Sequence, residues 1–260
     1  MEKEYEKFRD SDLLEGMTSV RAVIKAFDNG ISDRRITEIL YSHDRAETRK
    51  KALGYLSAVS GTYGFALTEI SDEELNALAI GNSHGGILAK CTPRTIPELT
   101  SLSTAALPQN GFFAMLDGIE DPYNFGYALR SIYAAGADGI ILPRRNWLTA
   151  AGVVARASAG ASELLPLYMA DPADAADFFK ACGYRVICAD MPNSVSLYDS
   201  DLTKPIFLIV GGEKRGIRAS VLAKADQVVR IEYGREFGAA LSAASASTIL
   251  AYEVYRQNRK

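Results

Sequence analysis

The chain has 260 residues, room for one large domain or for a small and a medium one. Its 48% hydrophobic and 23% charged residues are the balance of an ordinary globular protein, and no run of about 18 apolar residues marks a membrane span. Net charge is −3, so any nucleic acid must be held by a local basic patch and not by the overall field. The charged N-terminus MEKEYEKFRDSD lacks an apolar signal core. Cys91, Cys182 and Cys188 form no CxxC pair and read as free thiols, which together point to the cytoplasm. His43 and His84 stand at no familiar metal-ligand spacing from these cysteines, so no metal is expected.

Residues 1–30 read as one or two short helices. ITEILYS (36–42) is β-rich and reads as a strand, residues 45–60 have helical periodicity, and FALTEI (65–70) reads as a second strand. SDEELNALA (71–79) reads as a helix capped by Ser71, with Glu74 completing a capping box, and GILAKC (86–91) as a third strand. The first hundred residues are thus a small α/β unit. Residues 92–111 carry three prolines and many Ser and Thr, and read as a linker. Beyond it, strands at 112–116, 139–142, 164–168, 184–189, 206–210 and 227–231 alternate with helices near 126–135, 148–159, 172–182 and 241–257. Runs such as IFLIV are apolar on both faces, the mark of parallel strands covered by helices. The expected division is 1–107, including the linker, and 108–260.

Ligands bind beyond the carboxyl ends of parallel strands. Three segments lie there. DGIEDPYNFGYALR (117–130) has a turn at Asp121-Pro122, Asn124 as a candidate helix cap, and Arg130 six residues on, able to point back toward the strand ends. VGGEKRGI (210–217) carries Gly211, Gly212 and Gly216, and reads either as a nucleotide-holding loop or as a structural turn; it is neither a P-loop nor GxGxxG. IEYGREFGAALSAASASTILAYE (231–253) is a glycine-bearing loop followed by a helix of small residues, suited to a ligand or to close helix packing.

In this order and at these separations the three segments resemble the motifs of the SpoU/TrmH family of RNA ribose 2′-O-methyltransferases. DPYNFGYALRSIYAAGADGIIL looks like the first motif, LIVGGEKRGI like the second, and IEYGREFGAALSAASASTILAYE stands in the place of the third. RASAGASELLP (156–166) looks like the family's connecting stretch. RRITEILYS and NSHGGILAKC resemble the two ends of its ribosomal-protein-like RNA-binding domain.

The resemblance implies a small ribosomal-protein-like α/β domain followed by a trefoil-knotted, parallel-sheet α/β methyltransferase domain. It implies S-adenosylmethionine as cofactor, rRNA or tRNA as substrate, and a homodimer in which both chains complete each active site. It assigns Arg130 to activating the hydroxyl, Asn124 to positioning it and the arginine, and Glu213 to holding the motif. Gly211, Ile231 and Leu241, with Gly212 and Gly216, are the expected cofactor contacts. Arg34 and Arg35 are the expected RNA contacts, ahead of Arg45, Arg49, Lys50 and Lys51. One departure stands out: where the family reads SLN and shortly after Ser, this chain has Ala240-Leu241-Ser242, then Ala243 and Ala244. Ser242 is the expected stand-in on the substrate side. The departure keeps open a non-catalytic RNA-binding protein of the same fold. A nicotinamide enzyme is disfavoured by the missing GxGxxG, and a ribosome-associated factor is suggested by the N-terminal part alone.

Overall fold

The computed structural model describes residues 12–81, 84–144, 150–191, 193–213 and 215–259. They fall into two compact units, one within 1–95 and 146–164, the other within 96–145 and 165–260. This differs from a single cut after residue 107: the segment 146–164 returns to the first unit, and all of the expected linker beyond residue 95 belongs to the second.

The first unit holds a four-stranded sheet in the order β1-β4-β2-β3, with β1 (Leu13–Glu15), β2 (Ile36–Ser42), β3 (Ala66–Ile70) and β4 (Ile87–Cys91). β2 runs parallel to β3, and β4 antiparallel to both β1 and β2. The helices α1 (Gly16–Asp28), α2 (Lys50–Tyr63) and α3 (Asp72–Leu78) follow β1, β2 and β3. α1 turns Val20, Val23 and Ile24 inward against Leu14, Ile39 and Ile87, and helix Ala151–Ala157 adds Ala155 to the same core. Ser71 caps α3 as its sequence indicates: its hydroxyl accepts the Glu74 N–H and the Glu74 carboxylate accepts the Ser71 N–H.

The second unit holds seven parallel strands in the order β7-β6-β5-β10-β8-β11-β9. These are β5 (Phe112–Asp117), β6 (Gly139–Leu142), β7 (Leu167–Met169), β8 (Arg185–Ala189), β9 (Val195–Ser196), β10 (Ile206–Gly211) and β11 (Gln227–Arg230). Central β5 and β10 pair in register from Ile206↔Phe112 to Gly211↔Asp117. The helices are α4 (Pro122–Ala134), α5 (Pro172–Ala181) and α6 (Ala243–Asn258). α6 packs on α4, where Thr248 Oγ1 donates to Ser131 Oγ at 2.7 Å. On the α5 side the core is aromatic: Phe179 stacks on Phe207 with centroids 4.3 Å apart, flanked by Phe113 and Tyr184. Two carboxylates anchor strand beginnings, Asp138 accepting the Phe112 N–H and Asp226 the Val186 N–H.

The strand expected over 164–168 begins only at Leu167, because Pro166 has no N–H to give a ladder; Leu164 instead ends the short helix Ala161–Leu164. Part of the helix expected over 148–159, and residues 1–11 of the N-terminal reading, lie outside the described residues. Cys91 and Cys188 are buried thiols whose pKa burial pushes up to about 12, so both stay protonated and unreactive near neutral pH. Among the described residues no helix is long and apolar enough to cross a membrane, and no group of His, Cys, Asp and Glu could hold a metal ion.

Candidate active site

Because all seven strands of the second unit run the same way, the loops after β5, β8, β10 and β11 emerge at one edge of the sheet. The loop after β5 enters α4 through Asp121-Pro122. Asp121, not Asn124, is the cap: its Oδ1 accepts the Asn124 N–H at 2.7 Å, and Pro122, which has no N–H to satisfy, takes the first helical position. The Asn124 side chain is therefore left over, and its Nδ2 donates to Glu213 Oε1 at 3.4 Å. The same oxygen accepts the N–H of Ala243, the first residue of α6, at 3.1 Å. One carboxylate thus joins all three motif segments, at a helix N-terminus where negative charge is favoured.

The glycines of the second segment are required by backbone crossing. A Cβ on Gly211 would sit 2.7 Å from the Gly216 carbonyl carbon, and one on Gly212 2.2 Å from the Gly118 oxygen. The Gly212 N–H is spent on the Asp117 carbonyl at 2.7 Å, and that of Gly216 on the Gly212 carbonyl at 2.9 Å. The structural-turn reading therefore accounts for both adjacent glycines, and they serve a ligand as wall rather than as donors.

That wall borders a cleft of about 190 Å³. Gly211, Gly212, Gly216, Ile231 and Leu241, the five expected cofactor contacts, all line it, together with Glu213. Its floor is apolar, from Val210, Val229, Ala240, Ala246 and Leu250. Asp190, the residue after β8, adds a carboxylate: Oδ1 accepts the Met191 N–H, and Oδ2 lies on the Gly216 side, 3.6 Å from where a Cβ on Gly216 would stand. An apolar slot closed by glycine backbone, with a carboxylate at its edge, suits a flat purine joined to a sugar and an amino-acid arm that bring hydroxyl and ammonium donors. The residues present fit S-adenosylmethionine. Asp190 and Tyr233 were not singled out from the sequence; the signal for Asp190 was a polar residue directly after the apolar run YRVICA.

A second cavity of about 100 Å³ adjoins, lined by Gly118, Ile119, Glu120, Asp121 and Asn124, and sharing Glu213 and Ala243 with the first. Ser242 serves as N-cap of α6, its hydroxyl accepting the Ser245 N–H and lying 3.0 Å from Ser245 Oγ. Arg130 departs from the expectation that it points at the cofactor loops. It lies exposed on α4, lines neither cavity and has no hydrogen-bond or ion-pair partner among the described residues. Six residues turn a helix by about 240° beyond a full circle, which carries Arg130 off the Asn124 face.

Arg34 is not a surface phosphate contact. It is 2% exposed, and its Nε lies 3.6 Å from the Glu163 carboxylate, itself buried. Arg35, one residue on and facing the other way, is exposed and stacks over the Phe27 ring at 4.7 Å. Arg45 is held by Asp72 at 2.9 Å and Lys50 stands 4.0 Å from Glu47, whereas Arg49 and Lys51 are exposed. Lys214 lies outside the described residues.

The SpoU rRNA Methylase family model matches residues 111–252. The 23S rRNA (guanosine-2′-O-)-methyltransferase RlmB of a Burkholderia species is 30% identical over 249 residues, 95% of this chain and 97% of that protein. Among solved structures, the AdoMet-bound rRNA methyltransferase of Sinorhizobium meliloti superposes with a TM-score of 0.78 at 22% identity, covering 98% of this chain and 95% of that one. The SpoU methyltransferase AviRb of Streptomyces viridochromogenes, in complex with AdoMet, gives 0.76 at 20% identity over 97% of each chain. At these identities the two structures speak for the fold alone.

Proposed function

The chain belongs to the SpoU rRNA methylase family, and on that premise we propose that it transfers a methyl group from S-adenosylmethionine to a ribose 2′-hydroxyl of a structured rRNA or tRNA. The observation that carries the reading is the pair of adjoining cavities that meet at Glu213 and Ala243. The larger takes the cofactor; the smaller, beside Asn124, takes the target ribose. The name of the Burkholderia relative supports the 2′-oxygen as the acceptor.

Held by the cleft residues, S-adenosylmethionine would give its methyl to the 2′-oxygen and leave as S-adenosylhomocysteine, with the hydroxyl proton released to solvent. Asn124 commits its Nδ2 to Glu213, which leaves its carbonyl oxygen to accept from the ribose hydroxyl. Glu213 keeps the two cavities together by bonding Asn124 and the start of α6. Arg130 activates the hydroxyl and stabilises the phosphate beside it through orientation and charge. Its exposure and its place outside both cavities support a site completed by a second copy of the chain, in a homodimer whose C-terminal domains carry the trefoil knot of the family. Ser242 spends its hydroxyl on a helix cap, which favours one second reading, a protein that binds cofactor and RNA without transfer.

Calorimetry with S-adenosylhomocysteine and transfer of labelled methyl from S-adenosylmethionine to unmodified rRNA and tRNA test the reading. Binding with incorporation is the expected result. No binding at millimolar ligand overturns the cofactor assignment, and binding without incorporation favours the second reading.

A further inference from the structure

In the second unit most arginines are neutralised by a carboxylate: Arg144 by Glu98, Arg185 by Asp201, Arg218 by Asp117 and Asp171, Arg230 by Glu232, and Arg256 by Glu253. Arg215 and Arg235 are exposed and have no partner among the described residues. Both sit on loops that build the large cleft, Arg215 between the cleft residues Glu213 and Gly216, Arg235 between Tyr233 and Ala240. Two residues beyond Arg235 stands Phe237, 58% exposed. Its ring meets that of Tyr233 edge-on, with centroids 5.8 Å apart. Tyr233 is fixed in place, since it lines the cleft and its hydroxyl accepts the Leu241 N–H at 3.0 Å. Gly234 and Gly238 flank the ring and face open space.

We propose that Phe237 and Tyr233 form a stacking platform for an unpaired nucleobase of the RNA substrate, with Arg215 and Arg235 holding the phosphates on either side. The inference rests on the RNA reading above and names what that RNA must look like at the site. The smaller cavity, which takes the target ribose, shares Glu213 and Ala243 with the cleft, so the base of that nucleotide or of its neighbour can reach the Tyr233 side of the cleft, where the platform lies. In a paired stem the base faces are covered by neighbours, so an aromatic ring serves only a loop, bulge or end. Two exposed guanidinium groups in an acidic chain are complementary to a phosphate backbone. Every base has a π-face, so the platform selects unpaired over paired RNA and leaves base identity to other contacts.

Fluorescence anisotropy with a fluorescein-labelled RNA stem–loop and a fully paired stem of the same length tests the proposal. Wild type is expected to prefer the stem–loop. Phe237→Leu weakens stem–loop binding about tenfold and leaves the paired stem nearly unchanged, and Phe237→Trp restores the preference. Arg215→Ala and Arg235→Ala each flatten the salt dependence by about one phosphate contact. S-adenosylhomocysteine affinity, read by calorimetry on every variant, stays at the wild-type value. Unchanged stem–loop affinity in Phe237→Leu overturns the platform. So does a fall in oligomeric mass of that variant by light scattering, which would assign the ring to a second copy of the chain. A wild type that binds S-adenosylhomocysteine but neither RNA overturns the RNA reading itself, and the platform with it.

Discussion

The two units differ in where they set their arginines. Among the described residues only the first draws arginine into its interior: Arg34 is 2% exposed beside Glu163, Arg94 is 6% exposed and donates to the Ser162 carbonyl, and the half-buried Arg156 holds the buried Glu15 at 3.0 Å. The second leaves Arg130, Arg215 and Arg235 exposed and without a partner among the described residues, two of them on the cleft loops and one on the helix that carries Asn124. A buried guanidinium needs its partner and is framework; an exposed one without a carboxylate is free to take a phosphate. A basic doublet in a sequence says neither, and Arg34 beside Arg35 holds one of each kind.

Removing the framework arginine should have the largest effect. Arg34→Ala removes the ion-pair partner of the buried Glu163, which then faces only the Arg94 charge, and is expected to cost about 3 kcal/mol in urea unfolding. The salt dependence of RNA binding in whatever remains folded should not change. Arg34→Met with Glu163→Gln should recover much of the loss. Arg35→Ala should do the reverse, with stability near wild type and a salt slope lower by about one. A stable Arg34→Ala protein with a lower salt slope would break the comparison.

Arg130→Ala should lower the methyl-transfer rate by about a hundredfold or more while S-adenosylhomocysteine affinity is kept. Arg130→Lys should fail as well, because an ammonium lacks the planar fork. Single-turnover assays separate rate from binding, and full activity in either variant would remove Arg130 from the chemistry. Glu213→Ala should be milder in stability, about 1 kcal/mol for the lost bonds to Asn124 and the Ala243 N–H, with weaker cofactor binding as the diagnostic. Unaltered cofactor affinity would mean that Glu213 does not shape the cleft.

The smallest effect is a pH dependence in the first unit. His84 Nδ1 lies 3.2 Å from the Gly86 N–H it accepts, and Nε2 is 3.0 Å from Asn76 Oδ1, an arrangement that needs a neutral ring. Burial, with the nearby Arg45 charge, holds its pKa below the ordinary 6.5. The unfolded chain takes up the proton first, so this contribution is full above pH 6.5. It declines as pH falls below that value toward the depressed folded pKa. Melting curves from pH 8 to 5 should show a shallower acid decline in His84→Gln than in wild type, and equal slopes would refute the assignment.

Much of the fold was legible because period and length were strong. ITEILYS and GIIL occupy β2 and β6 with the bounds read from sequence, and IFLIV lies within β10. β1 and β9 span three and two residues, too short to carry a period. The return of 146–164 to the first unit is a long-range packing choice with no local signature. Asp121 displaced Asn124 as cap because Pro122 settles which residue precedes the first turn, a cue that was present in the sequence. Leu241 and Ile231 follow from the resemblance and Asp190 is legible from its place directly after an apolar strand, whereas the exposed Phe237 needed the folded chain.

The central claim is methyl transfer to a 2′-oxygen, and alkaline hydrolysis tests it most directly. Alkali cleaves RNA by attack of the 2′-oxygen on the adjacent phosphate, so a methylated 2′-oxygen protects one linkage. RNA labelled by this protein from S-adenosylmethionine should, after alkali, release its label as a resistant dinucleotide whose mass spectrum places the methyl on ribose. Label recovered in a single nucleotide, with the methyl on the base, would contradict the account.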